Sequence, residues 1–97
     1  MVYKVEISRN ASRQLDKLDR PIAVMILKWL KKNVDGTEDP RSHGKALQGN
    51  LSGYWRYRVG DYRIICTIDD SRLVVQAIEI GKRVMFTLER DPIRPNL

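Results

Sequence analysis

Residue types that often carry enzyme chemistry are scarce in this 97-residue chain, which has one cysteine, one histidine and one phenylalanine. The lone Cys66 cannot form an internal disulfide, and this favours a reducing compartment, so we expect the cytoplasm. No apolar run approaches the roughly 20 residues that a membrane-spanning helix needs. The N-terminal residues alternate in polarity, so we expect no signal peptide. No glycine-rich phosphate loop occurs either.

Positive charge is what the chain has in excess. Its net charge is +6 and its isoelectric point is near 9.8. This balance favours a polyanion or an acidic protein as partner. A basic surface that serves only solubility is the alternative, and charge alone does not decide between them. The length and the 42% hydrophobic content predict a single domain over residues 1–97.

Polarity patterns predict an α+β fold: an N-terminal strand, a helical hairpin, then antiparallel strands forming a four-stranded sheet, and a short C-terminal helix. Pro21 falls in the first turn of the second helix, where proline is tolerated. A short strand within "KALQG" is a further option. The predicted helices span about 9–18 and 20–34, and the predicted strands 2–7, 53–59, 62–68 and about 72–80.

Three arginines are concentrated in the stretch "GYWRYRVGDYRI". If Gly60 and Asp61 form a two-residue turn, Arg58 lies opposite Arg63, and Arg56 joins them on the same face. Like charges facing each other across strands cost stability, but they become useful when a phosphate binds. The other face, which carries Trp55, Tyr57, Ile64 and Cys66, is expected to pack against the helices.

Groups suited to proton transfer are few. Arginine stabilises negative charge but is a poor general base, because its pKa lies above about 12. His43 lies in a polar loop, and Glu79 alternates with Ala77 on the apolar face, so structural roles are favoured for both. Cys66 lies among isoleucines, far in sequence from the histidine, which argues against a thiol nucleophile or a metal site.

The segment "LSGYWRYRVGDYRIICTIDDSRLVVQAIEIGKR" resembles the core of RelE/ParE-type bacterial toxins. The shared pattern is an aromatic-Arg-x-Arg-x-Gly-Asp-Tyr-Arg hairpin, an apolar strand and a Gly-His/Lys-Arg motif. The resemblance covers nearly the whole chain. It implies the RelE fold and the toxin half of a type II toxin–antitoxin pair. RelE members cut mRNA in the ribosomal A site, whereas ParE members poison DNA gyrase.

The resemblance also implies a set of site residues, with no metal or organic cofactor. The catalytic candidates are Arg63, Arg83 and Arg56. The substrate-binding candidates are Arg58, Tyr54 and Lys82, the last being also a candidate proton donor in place of the family's histidine. Many members carry a tyrosine shortly after the Gly-His-Arg motif, where this chain has Phe86 and Thr87.

The partners that the resemblance implies are the ribosome with its mRNA and an acidic, RelB-like antitoxin. We expect the antitoxin to wrap the basic face or to displace the segment near residues 82–90. Contact with operator DNA is expected only through the antitoxin, and no contact with membranes is expected. Two alternatives stay open: a ParE-like gyrase poison without nuclease activity, and a degenerate toxin that only binds its partner or RNA.

Overall fold

A computed structural model describes residues 1–82 of the chain. Two helices, α1 and α2, follow the first strand, and four further strands follow the helices. The helices are α1 Arg9–Asp16 and α2 Arg20–Asn33, and the strands are β1 Lys4–Ile7, β2 Lys45–Ala46, β3 Trp55–Val59, β4 Tyr62–Asp69 and β5 Val74–Lys82. The α+β class is confirmed, and the predicted C-terminal helix lies outside the described residues.

The strands form one sheet in the order β1-β5-β4-β3-β2. β1 runs parallel to β5, and the remaining neighbours are antiparallel. The prediction of four strands was one too few, because the two-residue β2 pairs with the outer edge of β3. The helical hairpin connects β1, at one edge of the sheet, to β2, at the other edge. The later strands then return in order toward β1, so β5 lies beside it.

Local signals fix the ends of the helices. The Ser8 hydroxyl accepts a hydrogen bond from the Ala11 amide at 3.1 Å and caps α1. Pro21 lies in the first turn of α2, where its missing N–H costs nothing. α1 ends at Asp16, two residues earlier than predicted, because the chain tightens there: the Lys17 amide donates to the Gln14 carbonyl.

Both helices pack on one face of the sheet. As predicted, Trp55, Tyr57, Ile64 and Cys66 belong to this helix-facing side. The fully or nearly buried members of the core are Ala11, Leu15, Ile26, Leu30, Val34, Tyr57, Val59, Ile64, Cys66, Val75, Ala77 and Ile80.

A β-bulge interrupts β5 at Ile78. Cys66 pairs with Ala77 and Ile65 pairs with Glu79, which leaves Ile78 unmatched. Side chains of α1 satisfy the backbone there: the Asn10 amide donates to the Ile78 carbonyl at 2.9 Å. The bulge shifts the alternation by one residue, so the side chains after Ile78 change faces.

The loop before β2 is anchored to the helix-facing side. The Tyr57 hydroxyl donates to the Pro40 carbonyl at 2.5 Å, and the Trp55 indole donates to the His43 carbonyl at 2.8 Å. Gly44 follows with φ +82°, and a Cβ there would lie 2.6 Å from the Trp55 indole nitrogen. Glycine therefore lets the loop approach β3 closely enough for β2 to pair.

Candidate nucleic-acid interface on the sheet

The sheet face opposite the helices carries a cationic cluster, which we define as Lys45, Arg56, Arg58 and Arg63. Lys45 pairs with Arg56 across β2 and β3, and Arg58 pairs with Arg63 across β3 and β4. Directly paired residues share a face, and Arg56 and Arg58 are two positions apart on one strand. The predicted grouping of the three arginines is therefore present, with Lys45 as a fourth member.

A tight turn sets this register. Val59 pairs with Tyr62, so Gly60 and Asp61 form the two-residue connection. Gly60 has φ +59°, as the first central residue of a type II′ turn requires. A one-residue slip would move the arginines toward the core, so the turn determines which face they occupy.

The members of the cluster differ in exposure. Arg58 is exposed, whereas Arg56 and Arg63 are half-buried, and the Nε atom of Arg63 is buried. Arg56 and Arg58 also line a pocket of about 200 Å³ together with Gly44 and Lys45. A recess with three cationic side chains on its walls suits a phosphate or another small anion.

Glu79 lies on the same face as the cluster, so its sequence-based assignment to the apolar face was wrong. The alternation with Ala77 fails because the bulge at Ile78 inserts one residue between them. Glu79 pairs with Ile65, and Ile65 pairs with Arg56, which forms one row across three strands. Its side chain is only 5% exposed.

Two other predicted site residues, Lys82 and Tyr54, are not members of the cluster. Lys82 pairs with Tyr62, a residue packed against the core, so it is on the helix-facing side at the exposed end of β5. Tyr54 precedes β3 and lines a separate pocket of about 200 Å³ with Trp55 and Ile68. Arg83, Phe86 and Thr87 lie outside the described residues.

His43 has a structural setting, as the sequence suggested. Its ring packs edge-on against Trp29 with 5.6 Å between ring centroids. Tyr57, which also contacts Trp29, and Cys66 are core residues, and burial raises the pKa of both groups. Such groups stay protonated at neutral pH, so neither is poised for chemistry. Within residues 1–82, no three His, Cys, Asp or Glu side chains come together as a metal-binding group.

A polar network at the other end of the sheet lowers the pKa of an exposed carboxyl group. Arg41 donates two hydrogen bonds of 3.0 Å to the Asp70 carboxylate, and the Tyr3 hydroxyl donates a third at 2.6 Å. The Arg41 bonds, followed by the Tyr3 bond, lower the pKa of Asp70. This network joins the residue before β1, the loop before β2 and the β4–β5 turn.

Sequence comparison places the chain among bacterial toxins. Residues 5–85 match the family model of the ParE toxin of the type II toxin–antitoxin system parDE. Toxin RelE of Mycobacterium tuberculosis is 32% identical over 93 residues, which is 96% of this chain and 93% of the relative. Toxin RelG of the same organism is 29% identical and covers 86% of this chain and 93% of its own length.

Structure comparison agrees with the sequence matches. The toxin–antitoxin complex RelBE2 of Mycobacterium tuberculosis contains a chain that superposes with a TM-score of 0.73 at 28% identity, covering 86% of this chain and all of the other. The intact Escherichia coli RelBE complex gives a TM-score of 0.65 at 21% identity, covering 84% and 96% of the two chains, and supports the fold alone.

In the described part of the chain, neither helix has the length and apolar character of a membrane span.

Proposed function

The chain belongs to the RelE/ParE superfamily of type II toxin–antitoxin toxins, and from that premise we propose that it is a ribosome-dependent mRNA endonuclease of the RelE kind. The observation that carries the proposal is the cationic cluster, in which four side chains from three strands crowd one sheet face. Repulsion among these cations lowers the stability of the fold, and a bound polyanion offsets it. An RNA backbone is a polyanion of this kind.

The proposed reaction is attack of an RNA 2′-oxygen on the neighbouring phosphorus. The new 2′-O–P bond forms while the P–O5′ bond breaks, leaving a 2′,3′-cyclic phosphate and a 5′-hydroxyl. The enzyme must accept the 2′-hydroxyl proton, stabilise the extra charge on phosphorus and let the leaving oxygen gain a proton. Arginines suit the second task, because a guanidinium offers a fork of donors to phosphate oxygens.

The sheet residues divide by position in this proposal. Arg63 is half-buried on β4, the middle strand of the sheet, and so is held rigidly enough to stabilise the scissile phosphate, with Arg56 diagonal to it on β3. Arg83, carried over from the family's Gly-Lys-Arg motif, is proposed as the second phosphate contact. Arg58 and Lys45 bind the flanking backbone, where several cations share the load.

Tyr54 and Lys82 keep only peripheral roles in the proposal. Lys82 pairs with Tyr62 on the helix-facing side, and Tyr54 precedes β3 and lines a different pocket from the one that Arg56 and Arg58 line. Tyr54 can offer a stacking ring to a base beyond the cluster. Lys82, at the exposed strand end, can contact the RNA backbone once the ribosome presents the mRNA.

An acidic antitoxin is the proposed protein partner. RelE toxins of Mycobacterium tuberculosis, Escherichia coli and Pyrococcus horikoshii crystallise as complexes with their antitoxins. The net charge of +6 favours an acidic, partly disordered segment that covers the cationic cluster or displaces residues 82–90. Operator DNA would then be reached through the antitoxin.

The matching family model bears the ParE name, and this favours gyrase poisoning as the second candidate function. A purified translation reaction with mapping of mRNA ends separates the two functions. The proposal predicts new ends within the codon that occupies the A site, and none when ribosomes are omitted. Intact mRNA together with gyrase-linked DNA breaks would replace it with the ParE function. Toxin that produces neither would be a binding protein only.

A further inference from the structure

Glu79 is a buried acid on a face otherwise dominated by cations. Its side chain is 5% exposed, and the register puts it in the row that runs through Ile65 to Arg56. Carboxylates are rarely this buried unless cations or hydrogen-bond donors surround them. Arg63 is a diagonal neighbour of Glu79, and diagonal neighbours are about 7–8 Å apart, within reach of long side chains.

The bulge at Ile78 and two side chains of α1 maintain this position of Glu79. Without the bulge at Ile78, Glu79 would point into the helix-facing core. Besides Asn10, Gln14 holds the bulge, because its side-chain oxygen accepts a hydrogen bond of 2.6 Å from the Ile80 amide. β1 pairing stops at Ala77, so these α1 side chains replace the partners that β1 no longer supplies. Contacts on the helix-facing side of the sheet therefore place an acidic side chain next to the cationic cluster on the other side.

The proposed reaction lacks one participant, a base for the 2′-hydroxyl proton. Arginine and lysine are protonated at neutral pH and cannot accept it. We propose that Glu79 is the general base of the cleavage reaction, an inference that rests on the proposed function. The 2′-hydroxyl proton passes to its carboxylate as the 2′-O–P bond forms. The P–O5′ bond breaks, the 5′-oxygen takes a proton from water, and Glu79 returns its own proton to solvent.

Other charged groups around Glu79 do not fit that role. β2, β3 and β4 contribute only the cations of the cluster at this end of the face. Asp69 is held at the far end of β4 by the Ser71 hydroxyl at 2.7 Å. On β1, Glu6 pairs with Arg72 at 3.8 Å, also toward the far end. Asp61, in the β3–β4 turn near the cluster, is exposed to bulk water. Glu79 is thus the buried carboxylate that adjoins the cluster among the described residues.

The small exposed fraction of Glu79 suits a base that works only with substrate in place. A carboxylate shielded from bulk water can accept a proton from a hydroxyl that a bound substrate brings to this face. Hydrogen bonds to a catalytic base commonly tighten only when the substrate is bound.

The test is single-turnover cleavage on programmed ribosomes across a range of pH, with wild-type, Glu79→Gln and Glu79→Asp proteins. Wild-type cleavage should slow as pH falls and the base takes up a proton. Glu79→Gln should be slower by about 10²–10⁴-fold and lose that dependence. Glu79→Asp should keep the dependence at a reduced rate. Glu6→Gln, on the same face, is the matched control and should behave as wild type.

A folded Glu79→Gln protein with the wild-type rate or an unchanged pH profile would overturn the inference and leave the proposed function intact. Circular dichroism establishes folding of each variant. If Glu79→Gln does not fold, Glu79→Asp decides, because a displaced base that neither slows cleavage nor alters the profile contradicts the assignment. Wild-type protein that does not cleave at all would overturn the proposed function, and this inference with it.

Discussion

Arg58 lies directly opposite Arg63 in the antiparallel β3–β4 pair, so two cationic side chains start from neighbouring positions on the same sheet face. Lys45 stands in the same relation to Arg56 across β2 and β3. Pairs of like charge in these positions oppose folding. Because a bound anion would relieve this repulsion, the two pairs favour an anion as the ligand of this face.

Removing one charge from the opposed pair should stabilise the free protein. Arg58→Thr replaces an exposed cation with a residue of high β-propensity, so the free energy of unfolding should rise by about 0.2–1 kcal/mol. Urea unfolding at low salt measures the change. Arg58→Lys retains the charge and is the control. Equal stability of the wild-type and Thr proteins would mean that the two cations do not repel appreciably.

Lys45 should contribute to nucleic-acid affinity without taking part in chemistry. Lys45→Ala should weaken binding of a short single-stranded RNA and lower the slope of log affinity against log salt by about 0.7, the value for one lost phosphate contact. Fluorescence anisotropy over a salt series gives both quantities. Lys28→Ala, at an exposed position on α2, should leave them unchanged. Similar losses in the two variants would point to general charge attraction rather than a defined site.

The bulge should depend on Gln14. Gln14→Met keeps the length of the side chain but leaves the Ile80 amide without its acceptor, which typically costs about 1–3 kcal/mol of stability. Hydrogen exchange should accelerate at the Ile80 amide more than elsewhere in β5. Gln48→Met, in an exposed loop, is the matched control. Unchanged protection at Ile80 would show that the bulge is held by other contacts.

The Asp70 network should make stability depend on pH in one direction. The Arg41 hydrogen bonds lower the pKa of Asp70 in the folded protein, so their contribution is present above the unfolded value of about 3.9 and is lost as pH falls through the lower folded value. Asp70→Asn should therefore destabilise the protein near neutral pH and reduce the loss seen on acidification. Thermal melts across pH test this, with Asp16→Asn on the exposed side of α1 as control. If Asp70→Asn showed the same dependence of stability on pH as the wild-type protein, the network would not be the cause of that dependence.

The sequence predicted the hairpin well because alternation and turn chemistry agree there. Gly60 and Asp61 fix a two-residue connection, and every residue from Trp55 to Cys66 then has a definite face. The same reasoning failed at Glu79, since no local signal marks Ile78 as a bulge. The bulge depends on Asn10 and Gln14, more than sixty residues earlier in the chain.

Lys45 was missed for a different reason. Its strand has only two residues, Lys45 and Ala46, too few to show a period. Its pairing with β3 is set by contacts of the preceding loop, such as the hydrogen bond from Trp55 to His43, and by the close approach at Gly44. These are tertiary contacts, and an alternation pattern does not contain them.

The most direct test of the central claim is single-turnover cleavage on programmed ribosomes by wild-type and arginine-to-alanine proteins. Wild-type protein should cut within the A-site codon. Arg63→Ala and Arg83→Ala should each be slower by about 10²–10³-fold while still folding and binding the antitoxin, because each removes one donor to the scissile phosphate. Arg56→Ala and Arg58→Ala should have smaller effects, since neighbouring cations share the RNA backbone. Folded Arg63→Ala and Arg83→Ala proteins that cut at the wild-type rate would contradict the claim and leave binding as the role of the clustered arginines.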